Sequence, residues 1–355
     1  MSSPTVAVLV RTKDRPRFLR RALANIAEQT FTDYTVCVIN DGGDESTTRA
    51  ILQASPLAHL LEGDAPRLML LTTGGGNMEA ASNAGLAATD SEFVAIHDDD
   101  DLWAPEFLER TVKALRTSEA LICSTRVVER YERETPEGEF EVYEERIFHD
   151  GLPGFGLQFL YRTNRAVPIG ILYRRRLHEL VGPYDESLPV VGDWEFNLRA
   201  AAVTEMLLVD EPLAYWSLRP QADGAEANSV QRQAEHARFD ASVRARAIRD
   251  DLQSGGRPGP YLYQAHLMAD LERRVIDGHD LTRESLDLLR SLGERLERIE
   301  ARQAAMDARQ RELEARLTAD RSRGRGALRA LRALRSAVRS LAHRARSATP
   351  RGEGR

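Results

Sequence analysis

The segment Phe93-Val-Ala-Ile-His-Asp-Asp-Asp-Asp-Leu-Trp103 joins an apolar run to four consecutive aspartates. Glu92–His97 is typical of a buried β-strand, and the chain before it alternates between strand-like and helix-like segments. The predicted strands are Val6–Val10, Tyr34–Ile39 and Arg67–Leu71, and the predicted helices are Arg17–Gln29, Thr47–Leu52 and Met78–Ala87. This alternation predicts an α/β fold with a parallel sheet that is covered on both faces.

Polar or glycine-rich clusters follow all four predicted strands. They are Arg11–Asp14, Asn40–Gly43, Thr72–Asn77 and Asp98–Asp101. In open α/β sheets, ligands bind beyond the carboxyl ends of the strands. We therefore expect the four clusters to line one cleft.

The aspartate run predicts a cation site. Four adjacent carboxylates repel one another strongly unless a cation is present, and hard oxygen ligands select Mg²⁺ or Mn²⁺. Such a metal would neutralise a diphosphate leaving group. The alternative is a solvated acidic turn that caps a helix beginning near Pro105. The position of Asp98–Asp101 at a strand end favours the metal, and His97 is interpreted as a strand residue rather than a ligand.

Two further carboxylates are candidates for chemistry. Asp41 could accept a hydrogen bond from a nucleotide base or ribose, or could form a plain Asx turn. Asp193, at the start of a predicted helix over Asp193–Ala202, could cap that helix or act as a general base. The loop Gly74–Asn77 could approach phosphate, but it matches neither G-x-G-x-x-G nor the P-loop.

Beyond residue 102 the sequence pattern is less regular. We predict a helix over Pro105–Leu115 and strands over Leu121–Tyr131, Phe140–Phe148, Met206–Val209 and Leu213–Trp216. The two cysteines, Cys37 and Cys123, lie in apolar runs and are predicted to be buried thiols of a reducing compartment.

The C-terminal third predicts an interaction region. Apolar residues and two glutamines recur three and four apart through residues 286–317, which indicates a coiled coil and a homo-oligomer, or else one amphipathic helix folded back on the domain. Residues 321–355 carry eleven arginines and one acid, a net charge of +10, whereas the whole chain has −6.

Residues 327–346 of this tail form a basic amphipathic pattern that suits an anionic membrane surface, or else a solvated tail. Nucleic acid is not expected, because the tail lacks aromatic residues and the main domain is acidic. The start of the chain lacks the pattern of a secretion signal, and we find no apolar stretch long enough to cross a bilayer. We expect a cytoplasmic protein that could attach to the inner face of the plasma membrane.

Residues 4–218 resemble the family 2 inverting glycosyltransferases of the GT-A fold. The similar segments are Val6–Leu23, Gln29–Phe31, Tyr34–Gly42, Ala80–Gly85, Phe93–Trp103, Gly182–Glu186 and Gly192–Trp194. Phe93–Trp103, which resembles the DXD strand, is the most specific. The resemblance implies a GT-A (nucleotide-diphospho-sugar transferase) Rossmann-like sheet and metal-dependent, inverting transfer of a sugar to an acceptor hydroxyl of a glycan or a lipid-linked molecule, in cell-surface glycan synthesis.

The resemblance also implies residue roles. Nucleotide-sugar binding would fall to Arg11, Thr12, Asp41, Asn83, Asp98 and Asp99, the metal to Asp100, and the general base to Asp193. Three features depart from the family. Ser82 stands where many members have Arg, Gly192 stands where many have Glu, and no His-containing motif is evident around Tyr215–Ser229.

We divide the chain into a GT-A domain (1–230), a helical extension (231–280), a coiled coil (281–320) and a basic amphipathic tail (321–355). Two alternative functions remain. A nucleotidyltransferase would share the sheet and the metal, although Arg11–Pro16 lacks the glycines usual after its first strand. A non-catalytic coiled-coil scaffold with a degenerate sugar-binding head would share the fold without the chemistry.

Overall fold

The computed structural model describes residues 4–136, 138–222, 224, 228, 233–276, 291, 295, 298, 302–309 and 311. The predicted basic tail and most of the predicted coiled coil lie outside the described residues, and those predictions remain open.

The strands are β1 (Val6–Thr12), β2 (Tyr34–Asp41), β3 (Leu68–Thr73), β4 (Phe93–Asp98), β5 (Leu102–Trp103), β6 (Ile122–Glu134), β7 (Phe140–Ile147), β8 (Ile171–Arg174) and β9 (Met206–Leu218). The helices are α1 (Pro16–Ala27), α2 (Glu45–Ala54), α3 (Met78–Ala88), α4 (Phe107–Arg116), α5 (Leu157–Leu160), α6 (Leu177–Val181), α7 (Gly192–Val203), α8 (Gln233–Gln253) and α9 (Gly259–Ile276). Short 3₁₀ turns lie at Ala58–Leu61 and Pro168–Gly170.

The described strands form one mixed sheet in the order β3-β2-β1-β4-β8-β6-β9-β5, and β7 pairs with β6. The first four strands run parallel, as the sequence predicts, and β8 joins β4 antiparallel. The two strands predicted over 206–216 are one continuous strand, β9, which pairs parallel with β6. The irregular second half of the domain is therefore an extension of the same sheet.

Side chains of β1 alternate between two hydrophobic layers. Val6, Val8 and Val10 pack on one face with α1, and Ala7 and Leu9 pack on the other with α3 and α7. A strand buried on both faces must be apolar throughout, which explains the continuous run in the sequence.

Gly85 brings α3 close to the sheet. A Cβ at Gly85 would lie 2.9 Å from Ile39 Cδ1 and 3.1 Å from Leu9 Cδ2. The absence of a side chain at Gly85 therefore sets the distance between α3 and the sheet, and with it the position of the residues at the start of that helix.

The chain divides into two compact units, Met1–Gly256 and Arg257–Arg355. The first unit extends beyond the domain end that we place at 230, because Val243 of α8 packs against Leu188 and Trp194. Cys37 and Cys123 are buried, free thiols, as predicted. Among the described residues, no helix has the length and apolarity needed to cross a membrane.

Candidate functional site

A cleft of about 670 Å³ opens at the carboxyl ends of β1, β2 and β4. Its lining residues are Arg11, Thr12, Lys13, Arg15, Asp41, Gly76, Asn77, Met78, Ala81, Asp98, Asp99, Asp100, Asp101, Pro189, Trp216, Gly224 and Asn228. The four strand-end clusters of the sequence meet there, because parallel strands end at the same edge of the sheet.

Arg11 and Asp98 form a bidentate ion pair at the centre of the cleft. Arg11 Nε and Nη2 each donate to an Asp98 oxygen at 2.8 Å, and the Arg11 side chain is only 7% exposed. Burial works against the charge of Arg11, but Asp98 and Glu79 raise its pKa overall. The third nitrogen, Nη1, donates to Ser82 Oγ at 3.1 Å. Arg11 thus holds the sheet edge against the start of α3.

Asp100 accepts from three groups that come from distant parts of the chain. Arg15 Nη2 donates to Asp100 Oδ2 at 2.7 Å, Asn228 Nδ2 donates to the same oxygen at 3.2 Å, and Arg219 also contacts it. Both guanidinium groups lie over the ring of Phe18, with Cζ 4.6 Å and 4.4 Å from its centroid. Asp100 is consequently buried but surrounded by positive charge.

The neighbouring aspartates have different environments. Thr12 Oγ1 donates to Asp99 Oδ2 at 2.7 Å and Arg15 Nη1 lies 2.9 Å from Asp99 Oδ1. Burial raises the pKa of Asp99, whereas for Asp100 the effect of burial is overcome by Arg15 and Arg219, which lower the pKa. Of the three buried aspartates in the run, Asp99, Asp100 and Asp101, Asp100 is therefore held most strongly in the ionised form. A metal ligand requires this form.

Asp101 and His97 have structural roles beside the cleft. Asp101 Oδ1 accepts the backbone N–H of Ser217 at 2.9 Å, which fastens the aspartate turn to β9, and burial raises the pKa of Asp101. His97 is buried against Trp103, and burial lowers its pKa to about 4, so the ring is neutral near pH 7. The interpretation of His97 as a strand residue agrees with this position.

Asp41 lies at the end of β2 in contact with the glycine loop. Its Oδ1 accepts from Thr73 Oγ1 at 2.6 Å and from the backbone N–H of Gly76 at 3.0 Å. Gly42 has φ +81°, and a Cβ on Gly42 would lie only 3.0 Å from the Cα of Gly75. Glycine is needed at this close crossing, which keeps Asp41 facing the cleft.

Asp193 lies at the start of α7 beside a second, small cavity whose wall also includes Arg11. Asn164 Nδ2 donates to Asp193 Oδ2 at 2.7 Å. Burial raises the pKa of Asp193, although Trp194 N–H, Asn164 and Arg11 work in the opposite direction. The preceding Val191 has φ +61°, a strained conformation for a β-branched residue and one that clusters at functional sites.

Asn83 does not line the cleft. Its Nδ2 donates to Tyr184 O at 2.9 Å and to Glu186 Oε1 at 2.8 Å, and its Oδ1 accepts from Tyr184 N at 3.0 Å. These bonds occupy its amide in fixing the loop before α7 against α3. The predicted role of Asn83 in nucleotide-sugar binding has no support from this geometry, whereas the other predicted site residues line one of the two cavities.

Among the described residues, no three acidic, histidine or cysteine side chains converge as a preformed metal site. Mg²⁺ in nucleotide enzymes commonly takes only one or two carboxylates and completes its shell with water and phosphate oxygens. The ionised Asp100 and its neighbour Asp99 fit that donor set. They are the residues that would hold a cation together with a diphosphate.

Sequence reasoning missed Arg15, Arg219, Asn228 and Glu79. Arg15 falls one residue beyond the strand-end cluster that the sequence identified. Arg219 and Asn228 lie within the region searched for a histidine motif, where the sequence offers no other signal. Glu79 lies within the predicted helix Met78–Ala87, and only the approach of α3 to Gly192 of α7 reveals its position.

Comparisons with known proteins agree with this geometry. Residues 7–179 match the family described as Glycosyl transferase family 2. The chain is 26% identical over 201 residues to the uncharacterized glycosyltransferase YwdF of Bacillus subtilis, covering 55% of this chain and 68% of that protein. It is 33% identical over 122 residues to the succinoglycan biosynthesis protein ExoW of Rhizobium meliloti, covering 34% of this chain and 36% of ExoW.

The crystal structure of S. aureus TarS 1-349 in complex with UDP-GlcNAc aligns with a TM-score of 0.47 and 16% identity, covering 63% of this chain and 61% of that one. Residues 7–179, from β1 to α6, are thus similar to glycosyl transferase family 2, and the relative YwdF carries the name of a glycosyltransferase.

Proposed function

We propose that the domain transfers a sugar from a nucleoside-diphosphate sugar to an acceptor hydroxyl with inversion at the anomeric carbon. The observation that carries this proposal is a shared wall. Arg11 lines both the cleft that contains Asp98–Asp101 and the small cavity that contains Asp193. A donor bound in the cleft would therefore contact the same arginine that separates the cleft from Asp193, a carboxylate suited to accept a proton.

The cleft offers a distinct place to each part of the donor. Asp41 stands at the β2 end, where its carboxylate would accept a base N–H. Asp98 or Asp99 would accept a ribose hydroxyl in the middle of the rim. Lys13 and Arg15 line the same cleft and would attract the diphosphate.

A Mg²⁺ or Mn²⁺ ion belongs to this proposal. Asp100 would hold it, assisted by Asp99, and the ion would neutralise the charge that develops on the departing diphosphate. Arg15 and Arg219, which contact Asp100, would add positive charge near the same leaving group. The lowered pKa of Asp100 keeps this ligand ionised near neutral pH.

Asp193 would act as the general base. It takes the proton from the acceptor hydroxyl while that oxygen attacks the anomeric carbon, and the bond from this carbon to the diphosphate oxygen breaks with its electrons leaving on the diphosphate. One displacement inverts the configuration. The raised pKa of Asp193 suits proton transfer better than that of an exposed carboxylate.

The acceptor belongs to cell-surface glycan synthesis in this proposal, as a glycan or a lipid-linked molecule. ExoW is named for succinoglycan biosynthesis, and a chondroitin synthase of Pasteurella multocida is 25% identical over 120 residues, which are 12% of its length. Oligomerisation through residues 286–317 and attachment of 327–346 to an anionic membrane surface extend the proposal to the remainder of the chain.

A nucleotide-sugar screen tests the function. We expect one class of nucleoside-diphosphate sugar to raise the melting temperature in the presence of Mn²⁺, and the same donor to release free sugar slowly when water replaces the acceptor. Stabilisation by nucleotide sugars without any release or transfer would support the non-catalytic scaffold instead. Release of pyrophosphate from a nucleoside triphosphate would support the nucleotidyltransferase.

A further inference from the structure

Glu79 is a buried carboxylate that neither the cleft nor the general base explains. It lies in the first turn of α3, is 2% exposed, and its Oε2 is 3.5 Å from Arg11 Nη1. A buried carboxylate is rare unless it is paired, and removing its partners is expensive. The position of Glu79 therefore calls for a role.

Glu79 occupies the space that a side chain at position 192 would need. A Cβ at Gly192 would overlap the Glu79 carboxylate, with the Glu79 Cδ only 2.5 Å away. Gly192 is the first residue of α7 and directly precedes Asp193. The absence of a side chain at 192 lets a carboxylate from α3 reach the start of α7.

Glu79 lies against the backbone at the start of α7. Its carboxylate fills the space beside Gly192, and burial raises the pKa of Glu79 to about 7 while the backbone N–H of Asp193 works in the opposite direction. The Asp193 side chain is bonded to Asn164 from a different segment. Val191, two residues before Asp193, has the strained φ of +61° in the same turn.

Arg11 connects Glu79 to the cleft. The same guanidinium group that pairs with Asp98 contacts Glu79 and Ser82 on α3. Ser82 and Gly192, the two positions at which the sequence departs from the family it resembles, thus both lie against the Arg11–Glu79 pair.

We propose that Glu79 is a positioning residue for Asp193: from α3 it supplies the carboxylate that the glycine at 192 leaves out, and through Arg11 it joins the base to the donor cleft. The proposal rests on the proposed glycosyl transfer. The proposal concerns the position of one carboxylate, which substitutions can move from α3 to α7.

A carboxylate swap tests the placement. Glu79→Ala should lower kcat about 10-fold to 100-fold with donor KM within about threefold, because a shift of the base near 1 Å is enough for such a loss. Gly192→Glu alone should be destabilised, because two side chains compete for one space. In Glu79→Ala/Gly192→Glu, the carboxylate enters that space from α7, and we expect at least a 10-fold recovery of kcat.

A charge test uses Glu79→Gln, which is close in shape and so retains the fold. The titratable and charged groups around the pair are Arg11 of β1, Asp98 of β4, Tyr184 of the loop before α7, Asp193 of α7 and His236 of α8. Burial raises the pKa of Glu79 to about 7, so a positioning role that needs the charged carboxylate should add a titration of kcat near that pH, and Glu79→Gln should remove this step. Glu195→Gln, on α7 but bonded to Arg199, is the matched control with an unchanged profile.

The outcomes are decisive in both directions. Wild-type kcat in Glu79→Ala, or no recovery in the swap, would overturn the positioning role. A loss seen only in donor binding would reduce Glu79 to a partner of Arg11 and would also overturn it. If the wild-type protein transfers no sugar, the proposed function fails separately. The melting temperatures of the four swap proteins then test the placement, which predicts that Glu79→Ala relieves the destabilisation by Gly192→Glu.

Discussion

The site contains two groups of carboxylates that differ in their counter-charges. Asp98 and Asp100 face arginines from β1, from the segment before α1 and from the segment after β9, whereas Asp193 has an amide, Asn164, as its side-chain partner. The arginines lower the pKa of Asp100, and burial without such a partner raises the pKa of Asp193. This difference fits the proposed division between donor binding and proton transfer, because Asp100 is held charged and Asp193 can more readily gain a proton.

The largest effect should come from the second group. Asp193→Asn keeps the bond geometry with α7 but removes the base, so kcat should fall by about 10²-fold to 10⁴-fold. Donor affinity, measured by calorimetry with Mn²⁺, should stay within a factor of three. If donor binding weakened by the same factor as kcat, Asp193 would also act in donor binding, which would contradict the division of roles between the two groups.

In the first group, Asp100→Asn leaves Arg15 and Arg219 without their shared carboxylate. Because Arg15 keeps Asp99 and Arg219 keeps Glu132, the unfolding free energy should fall by about 1.5–3 kcal/mol, and Mn²⁺ should no longer strengthen donor binding. Glu134→Gln is the matched control, because its ion pair with Arg17 is 46% and 39% exposed and should change stability by less than about 1 kcal/mol. Equal effects of the two substitutions would show that Asp100 is not held as a buried ion pair.

The pH dependence of kcat tests the role of Asp193 separately from that of Asp100. Asp193 must be deprotonated to act, and its pKa is raised, so kcat should fall as the pH drops through that raised value, about tenfold per pH unit below it. The bond from Asn164 lowers the pKa of Asp193, so Asn164→Ala should move the acid limb to higher pH. An acid limb unaltered in this variant would assign the titration to another group.

A smaller effect is expected at the rim. Asp41→Ala removes the carboxylate that we propose contacts the nucleotide base. The nucleotide Kd should rise about tenfold, because one charged hydrogen bond worth about 1.5 kcal/mol is lost. Asp33→Asn serves as the control, because Asp33 lies at the other end of β2 and bonds to Thr5 and Arg67. Nucleotide affinity should be unchanged there, and a similar loss in both would rule out a local role for Asp41.

The sequence predicts the first half of the fold and the rim of the cleft well. The runs that form β1, β2 and β4 are apolar because those strands are buried on both faces, and their polar ends meet at one edge. The local hydrophobic pattern is sufficient to predict these strands. The same pattern correctly placed Cys37 and Cys123 in buried strands.

Contacts between distant segments could not be predicted in this way. Arg219 and Asn228 reach Asp100 across more than a hundred residues, and Glu79 reaches Asp193 only because Gly192 and Gly85 let two helices and the sheet approach. Asn83 shows the same limit from the other side: its motif suggests a ligand contact, which stays a prediction, and its amide bonds to the loop at Tyr184. Periodicity reports burial, but it does not report which distant side chains share a cavity.

The central claim is that the arginine-paired aspartates hold the donor diphosphate and its cation, apart from the base. A crystal of the protein with a nucleoside diphosphate and Mn²⁺, measured at the manganese absorption edge, tests this most directly. The account predicts one anomalous peak within bonding distance of Asp100 or Asp99, with the diphosphate between it and Arg15. A manganese peak on Asp193 and Glu79, or a nucleotide outside the cleft between Asp41 and Asp100, would contradict it.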